Sequence, residues 1–365
     1  MTASRLTPHA SRTIMIMAGG TGGHIFPGLS VAEHLKGLGW RIVWLGAKAG
    51  MEATLVAPRG YEMAWVSMSG VRGKGLLRFA TLPLELLVAF WQSLRALRQH
   101  RPDVVLGMGG YVAFPGGMMA SLLRRPFAIH EQNAVAGLAN RVLAQLADRI
   151  LTGFPGVFPG ATAVLWTGNP VRAEIAGLAE PGVRYGARGG PLRLTVIGGS
   201  LGAQALNETV PRALALIEAA QRPQVMHQAG ARHADTTRAA YAAAGVTATV
   251  APFIDDMARA YAAADVIVCR AGASTIAELA TAGIASVLVP FPHAVDDHQT
   301  RNAAFLAERD AAVLIPQPDL TPERLADVLR GFTRAGLTQM AQRARAAGKP
   351  EATRAVAEAC MELAA

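Results

Sequence analysis

Two Rossmann-like α/β units in tandem are what this sequence predicts, and three observations carry the prediction. Short β-rich runs alternate with helical stretches through the first half. The same alternation restarts near residue 190, and each half opens on a glycine turn set between a strand and a helix. Strands alternating with helices at this spacing give a parallel sheet covered on both faces. A chain of 365 residues is long enough for about two such domains.

The elements follow in order. Residues 13–18 (TIMIMA) read as a buried strand that runs into the glycine cluster at 19–23. Pro27 is expected to start an amphipathic helix that ends near Lys36. Residues 41–45 (RIVWL), 103–106 and 126–130 read as further strands, with helices between them. In the second half, residues 192–197 (LRLTVI) form a strand, 198–202 a glycine turn, and Ala203 begins a helix. The two turns share the pattern Gly-Gly-[Thr/Ser]-x-Gly about half a chain apart, as a tandem of mononucleotide-binding folds would. The join is expected near Gly168-Asn169-Pro170. That gives one domain at 1–171 and another at 172–349, with a C-terminal helix, 350–365, packing back on the first.

Composition removes several classes. Hydrophobic residues make up 51% and charged residues 17%, which excludes a long disordered tail or a polyelectrolyte. Two cysteines, Cys269 and Cys360, cannot build a disulfide framework and fit a reducing compartment. No targeting segment is visible at the N-terminus, and the apolar stretch at 76–97 is broken by Arg78, Pro83, Glu85 and Arg95. No spanning helix is expected, though docking on a membrane surface is. The net charge of +9 points to an anionic partner: nucleic acid, anionic lipid or a phosphorylated substrate. Aromatic residues are only 6%, too few for a stacking platform on single-stranded nucleic acid.

Several constellations carry chemistry. The GGTGGH segment, Gly19 to His24, has the strand–turn–helix setting of a phosphate or sugar site, where glycines let backbone amides approach a ligand. It lacks the Gly-Lys-[Ser/Thr] of a Walker loop and the full dinucleotide fingerprint, so a nicotinamide cofactor is not expected. His24 lies at the mouth of this turn, either as a capping side chain or as a proton acceptor. After the strand at 266–270, Thr275 and Glu278 have the spacing of a capping box. The alternative is a diphosphate against the first-turn amides, with Glu278 accepting from a ribose diol. His293, Asp296, Asp297 and His298 match no metal-ligand frame. Arg72, Lys74 and Arg78 beside Leu76, Leu77, Phe79 and Leu82 form either an ordinary solvated face or an interfacial patch, with Arg125 as a further basic neighbour.

The ordered set fixes a resemblance. Gly19 to His24, Gly109-Gly110-Tyr111 and His130-Glu131-Gln132-Asn133 are followed by Gly168-Asn169-Pro170-Val171-Arg172. Gly198-Gly199-Ser200-Leu201-Gly202-Ala203, Phe253-Ile254-Asp255-Asp256-Met257 and the 272–278 segment complete it. Together they resemble the MurG family, N-acetylglucosaminyltransferases that convert lipid I to lipid II in bacterial peptidoglycan synthesis. The resemblance implies a GT-B fold: α/β, two Rossmann-like domains in tandem with an interdomain cleft. It implies an inverting transfer from UDP-N-acetylglucosamine, no cofactor, and no metal at the site. It implies His24 as general base. By matching positions, substrate contacts fall on Thr21, Gly22, Gly23, Asn133, Arg172, Ser200, Ile254, Ala273, Ser274, Thr275, Ile276, Ala277, Glu278 and Gln299. The loop around His293 departs from the family's usual form at Pro292 and at Ala294-Val295. The implied partners are UDP-N-acetylglucosamine, lipid I, an anionic membrane surface and other cell-wall synthesis proteins, at the cytoplasmic face of the inner membrane. Two other readings remain at this point. One is another GT-B UDP-sugar enzyme, a glycolipid glycosyltransferase or an epimerase. The other is a nucleic-acid-binding protein, whose affinity would fall steeply with salt.

Overall fold

A computed structural model describes residues 12–68, 77–199 and 202–365. The chain divides into two compact units. The first comprises Met1–Gln132, Ala136–Pro170 and Ala352–Ala365; the second comprises Asn133–Val135 and Val171–Glu351.

The first unit is built on a parallel sheet of β1 (Thr13–Met17), β2 (Arg41–Ala47), β3 (Glu62–Val66), β4 (Val104–Gly107), β5 (Phe127–Glu131), β6 (Arg149–Thr152) and β7 (Val164–Trp166). Its order is β3-β2-β1-β4-β5-β6-β7, so the strand order reverses between β1 and β4. Every residue of β1 is buried, as a central parallel strand requires. Alternation then sends its side chains into two different cores. Ile14 and Ile16 pack with Trp44, Leu106 and the helix Gly22–Gly37, whereas Met15 and Met17 pack with Leu45, Val105, Ala89 and Leu97. The C-terminal helix Ala352–Leu363 joins the first of these cores through Val356 and Cys360. Each large apolar side chain buried in this way contributes about 1.5–3 kcal/mol.

The second unit repeats the topology. Strands β8 (Arg193–Ile197), β9 (Gln224–Gln228), β10 (Thr249–Ala251), β11 (Val266–Cys269), β12 (Ala285–Leu288) and β13 (Val313–Leu314) are parallel, in the order β10-β9-β8-β11-β12-β13. Here the reversal falls between β8 and β11.

A shared device fixes strand register in both units. Asp103, just before β4, accepts from the Thr13 amide that opens β1 (2.7 Å). Asp265, just before β11, accepts from the Arg193 amide that opens β8 (2.9 Å). Asp148 does the same between β6 and β5, accepting from Phe127 (2.8 Å). Each carboxylate satisfies a strand-end amide that the ladder itself leaves open.

Two sequence expectations are corrected. The first helix begins at Gly22, not at Pro27, because the amides of His24 and Ile25 both bond the Thr21 carbonyl and so set the first turn earlier. Nor is it amphipathic: Ile25, Pro27, Leu29, Val31, Ala32 and Leu35 are all buried. The helix is held between the sheet and the C-terminal helix, which leaves little of it to water.

Candidate active site

In a doubly wound sheet, ligands bind beyond the carboxyl ends of the strands where the order reverses. The first glycine turn lies at that address in its unit, as do Gly198, Gly199 and Gly202, the described glycines of the second.

In the first unit, β1 ends in Gly19-Gly20, and Thr21 is the N-cap of the helix Gly22–Gly37. The neighbouring strand β4 ends in Met108-Gly109-Gly110. Gly110 has φ +81°, and a Cβ there would run into the Gly19 carbonyl. Only glycine lets the two strand ends come this close. Thr21 and Gly23 are exposed, while Gly22 and His24 are half-buried. His24 stands one turn into the helix, with its Nδ1 3.0 Å from Gln132 Oε1. Gln132 Nε2 donates to the Met108 carbonyl (2.8 Å) and meets His130 Nδ1 (3.1 Å). The other ring nitrogen of His130 lies 3.0 Å from the Gly168 carbonyl. Burial lowers the His130 pKa to about 4, so this ring is neutral at pH 7.

Glu131 does different work. It is buried, and its Oε2 accepts from the Gly137 amide (3.1 Å) and from Asn140 Nδ2 (2.8 Å), pinning the turn after β5. Glu52, also buried, accepts from the Ala47 amide (3.2 Å) and fills the space behind Gly19.

In the second unit, β11 leads through Arg270 and Ala271 to Gly272, the N-cap of the helix Ala273–Ala282. This overturns the capping-box reading. Thr275 lies inside the first turn, and Gly272 caps without a side chain, so Glu278 is not spent on the helix end. Glu278 instead has Oε1 2.9 Å from an Arg172 nitrogen and Oε2 2.8 Å from the Tyr261 hydroxyl. Tyr261 is fully buried; burial first, and then the adjacent carboxylate, push its pKa well above the ordinary value. It is therefore a fixed donor. A carboxylate offers about four lone-pair directions, so two remain on Glu278 after these bonds. No acidic residue occupies the first turn of this helix, and its amide-rich end carries positive potential.

Around this helix start, Gln299 Oε1 accepts from the amides of Ala271 (3.2 Å) and Phe291 (2.9 Å), which directs its NH2 group elsewhere. Asn133 Oδ1 accepts from Asn302 Nδ2 (3.2 Å), and Asn302 also bonds the Ala271 carbonyl (3.1 Å) and the Ala134 amide (2.8 Å). A single buried side chain thus ties Asn133 to the approach of the helix. Ile254 is buried in the loop after β10. Ser200 lies outside the described residues.

Of the predicted positions, the second unit brings Asn133, Arg172, the 273–278 segment and Gln299 around one helix start. Thr21, Gly22, Gly23 and His24 form the corresponding turn of the first unit. Sequence reasoning missed three partners: Gln132, quoted only as part of a motif, Tyr261 and Asn302. Tyr261 sits in an alanine-rich helix, Met257–Ala263, with no local signal. Cys269 and Cys360 are fully buried, with their thiols pushed up to about 12 by burial, as inert core groups are.

Known proteins place these features. The N-terminal domain model of glycosyltransferase family 28 matches residues 14–152, and the C-terminal domain model of the same family matches 193–359. The class is therefore a glycosyltransferase of GT-B fold. A protein of Aromatoleum aromaticum, named UDP-N-acetylglucosamine--N-acetylmuramyl-(pentapeptide) pyrophosphoryl-undecaprenol N-acetylglucosamine transferase, is 63% identical over 97% of this chain and 98% of its own length. A protein of Cupriavidus metallidurans with the same name is 60% identical over 97% of this chain and 99% of its own. The crystal structure of Acinetobacter baumannii MurG superposes with a TM-score of 0.84 at 41% identity, covering 96% of this chain and 99% of that one. With identity of this order over nearly its whole length, the chain belongs to the MurG family.

Proposed function

We propose that this protein transfers N-acetylglucosamine from UDP-N-acetylglucosamine to the muramoyl hydroxyl of lipid I, giving lipid II for peptidoglycan. The observation that carries the reading is the 63% identity along 97% of the chain to a transferase of that name. The geometry suits the chemistry. UDP leaves as a diphosphate, and its growing charge needs preorganised donors. The start of the helix Ala273–Ala282, with Ser274 and Thr275 in its first turn, supplies amides. Arg172 supplies a cation, and Glu278 keeps two lone-pair directions for a ribose diol. His24 takes the hydroxyl proton as the oxygen attacks C1, the C1–phosphate bond breaks, and the α-linked sugar inverts to a β-linked product.

The test is transfer of label from UDP-N-acetylglucosamine to lipid I. A β-linked disaccharide product is expected. Epimerised UDP-sugar, or transfer to a glycolipid in preference to lipid I, would assign the chain to another GT-B activity.

The acceptor sits at a membrane, and no helix among the described residues is long and apolar enough to cross one. The expected patch falls largely outside the described residues: Arg72, Lys74 and Leu76 entirely, and Leu77, Arg78 and Phe79 in their side chains. Further along the same helix, Leu77–His100, Leu84, Leu87, Val88 and Trp91 are exposed at i, i+3, i+4 and i+7, while Ala89, Ala96 and Leu97 face the core. Arg95 lies 5.7 Å over the Trp91 ring, and Arg98 is one turn on. This apolar stripe with a basic end fits the surface of an anionic bilayer. Replacing Leu87 and Trp91 by Ser should lower sedimentation with anionic vesicles and leave UDP-N-acetylglucosamine binding intact. Unchanged partitioning would place the membrane face elsewhere.

A further inference from the structure

Behind His24, a line of hydrogen bonds crosses the carboxyl ends of the central strands of the first unit. It starts at the Gly168 carbonyl, which can only accept, so His130 Nε2, 3.0 Å away, carries a hydrogen. His130 is completely buried, and its neutral ring leaves Nδ1 as a lone pair. Gln132 Nε2 faces that lone pair at 3.1 Å, the Met108 carbonyl at 2.8 Å and the His130 carbonyl at 3.2 Å. All three are acceptors, so this end of the amide is the NH2. The flipped amide would bury its oxygen against two carbonyl oxygens and a ring lone pair, with none of them able to donate to it. Gln132 is itself 1% exposed, and its main-chain carbonyl is held by Asn169 Nδ2 at 2.9 Å. Its Oε1 therefore points at His24 Nδ1, 3.0 Å away, and an amide oxygen can only accept.

We infer that Gln132 is a positioning residue that holds His24 as the Nδ1–H tautomer and so presents Nε2 as the proton acceptor. His130, through Gly168, fixes which way Gln132 faces. The catalytic meaning of this relay rests on the proposed function, in which His24 is the base. In that step the hydroxyl oxygen bonds to C1 of the sugar, and the C1–oxygen bond to the diphosphate breaks with its electron pair leaving on UDP. The hydroxyl proton passes to His24 Nε2. The cationic ring keeps its Nδ1–H on Gln132 Oε1, a bond that strengthens as the donor becomes charged. A neutral amide here orients the ring as the carboxylate of a catalytic triad does, without placing a full negative charge beside it.

The tautomer can be read directly. Two-bond proton–nitrogen spectra of the full chain, labelled with nitrogen-15 and assigned against His24→Gln, should show His24 protonated on Nδ1 and bare on Nε2. His130 should show the opposite. Gln132→Leu should keep the affinity for UDP-N-acetylglucosamine within about twofold. It should lower kcat about tenfold to a thousandfold, short of the ~10⁴ lost when an orienting carboxylate is replaced and the wrong tautomer follows. A wild-type His24 protonated on Nε2 overturns the relay, and so does a Gln132→Leu variant with full kcat. Should that variant fail to fold, the wild-type spectrum still decides. Failure of the underlying reading looks different: a His24→Ala variant with normal turnover removes the base, and the relay's catalytic role with it, whatever the tautomer.

Discussion

The two sheets share one strand order, yet their reversal points are furnished in opposite ways. Along the line behind the first turn stand an imidazole, one side-chain amide, a second imidazole and a main-chain carbonyl, with every bond donated in the same direction, from His24 to Gly168. The carboxylates of Glu52 and Glu131 are engaged by main-chain amides beside it. At the reversal between β8 and β11 stands a charged pair, Arg172–Glu278, with a buried phenol on the same carboxylate and a helix start that has no acidic residue in its first turn. A neutral line suits moving a proton, because its members must change protonation or hold a tautomer without fighting a fixed charge. A charged cluster suits gripping a nucleotide diphosphate. The topology supplies the address, and the residue types decide the work done there.

The comparison breaks most sharply at His24. Replacing it by Ala should cost about two to four orders of magnitude in kcat, the usual range for a general base, with UDP-N-acetylglucosamine binding unchanged. Steady-state kinetics beside a binding isotherm separates the two effects. More than about a tenth of wild-type turnover would take His24 out of the mechanism, and Glu131, occupied by Gly137 and Asn140, is poorly placed to succeed it.

Acid should strike both units by one cause. His130 in the first and His227 in the second are each lowered from 6.5 to about 4 by burial, the latter between Tyr241 and Asn207. Such a histidine stays neutral in the fold while the unfolded chain takes up a proton. Its full contribution is therefore present above about pH 6.5 and drains away as pH falls toward 4. The shift corresponds to up to about 3 kcal/mol for each ring. Urea midpoints should fall between pH 7 and pH 5, and His227→Gln should flatten that fall. A variant with the wild-type slope would show that His227 does not carry its share.

Glu278→Ala tests the charged side. Hydrogen bonds to charged groups are worth ~1.5–3 kcal/mol, so affinity for UDP-N-acetylglucosamine should drop roughly tenfold to a hundredfold. Because Gly272 caps the helix without help from Glu278, the helix start should survive. Wild-type affinity in a stable variant would leave Glu278 as the anchor of Arg172 and nothing more.

Much of this was legible in the sequence, for physical reasons that can be named. Parallel central strands are buried on both faces, so β1, β4, β8 and β11 show as continuous apolar runs. Glycine turns show because close backbone approach forbids a side chain, as at Gly110. The edge strands β3, β7, β10 and β13 were missed, being short and half-exposed, and so were the inner strands β6, β9 and β12. The start of the first helix was misread because Pro27 looks like a first-turn proline, whereas Thr21 sets the cap. Side-chain partners were the least legible. Gln132 and His24 are 108 residues apart, and Tyr261 and Glu278 meet only because two helices converge beside β11. No local spacing encodes such pairs.

The smallest expected effect is also the one that best separates the two kinds of positioning. Tyr261→Phe removes a single hydroxyl from a fully buried ring and leaves the Arg172–Glu278 pair in place. The loss of one hydrogen bond of this kind is about 1 kcal/mol, so affinity for UDP-N-acetylglucosamine should weaken several-fold, less than for Glu278→Ala. With its second oxygen released, the carboxylate can rotate about its remaining partner, and the geometry it offers a ribose diol loosens. Turnover at saturating UDP-sugar should not change, since a contact to the ribose is made equally in the bound nucleotide and in the transition state. Gln132→Leu should do the reverse, lowering kcat and sparing affinity. Measuring Kd and kcat for both variants therefore sets one positioning residue against the other. If Tyr261→Phe lowered kcat with its affinity intact, the division of labour between the neutral and charged ends would be wrong, and Glu278 would have to act on the transition state rather than on the bound nucleotide.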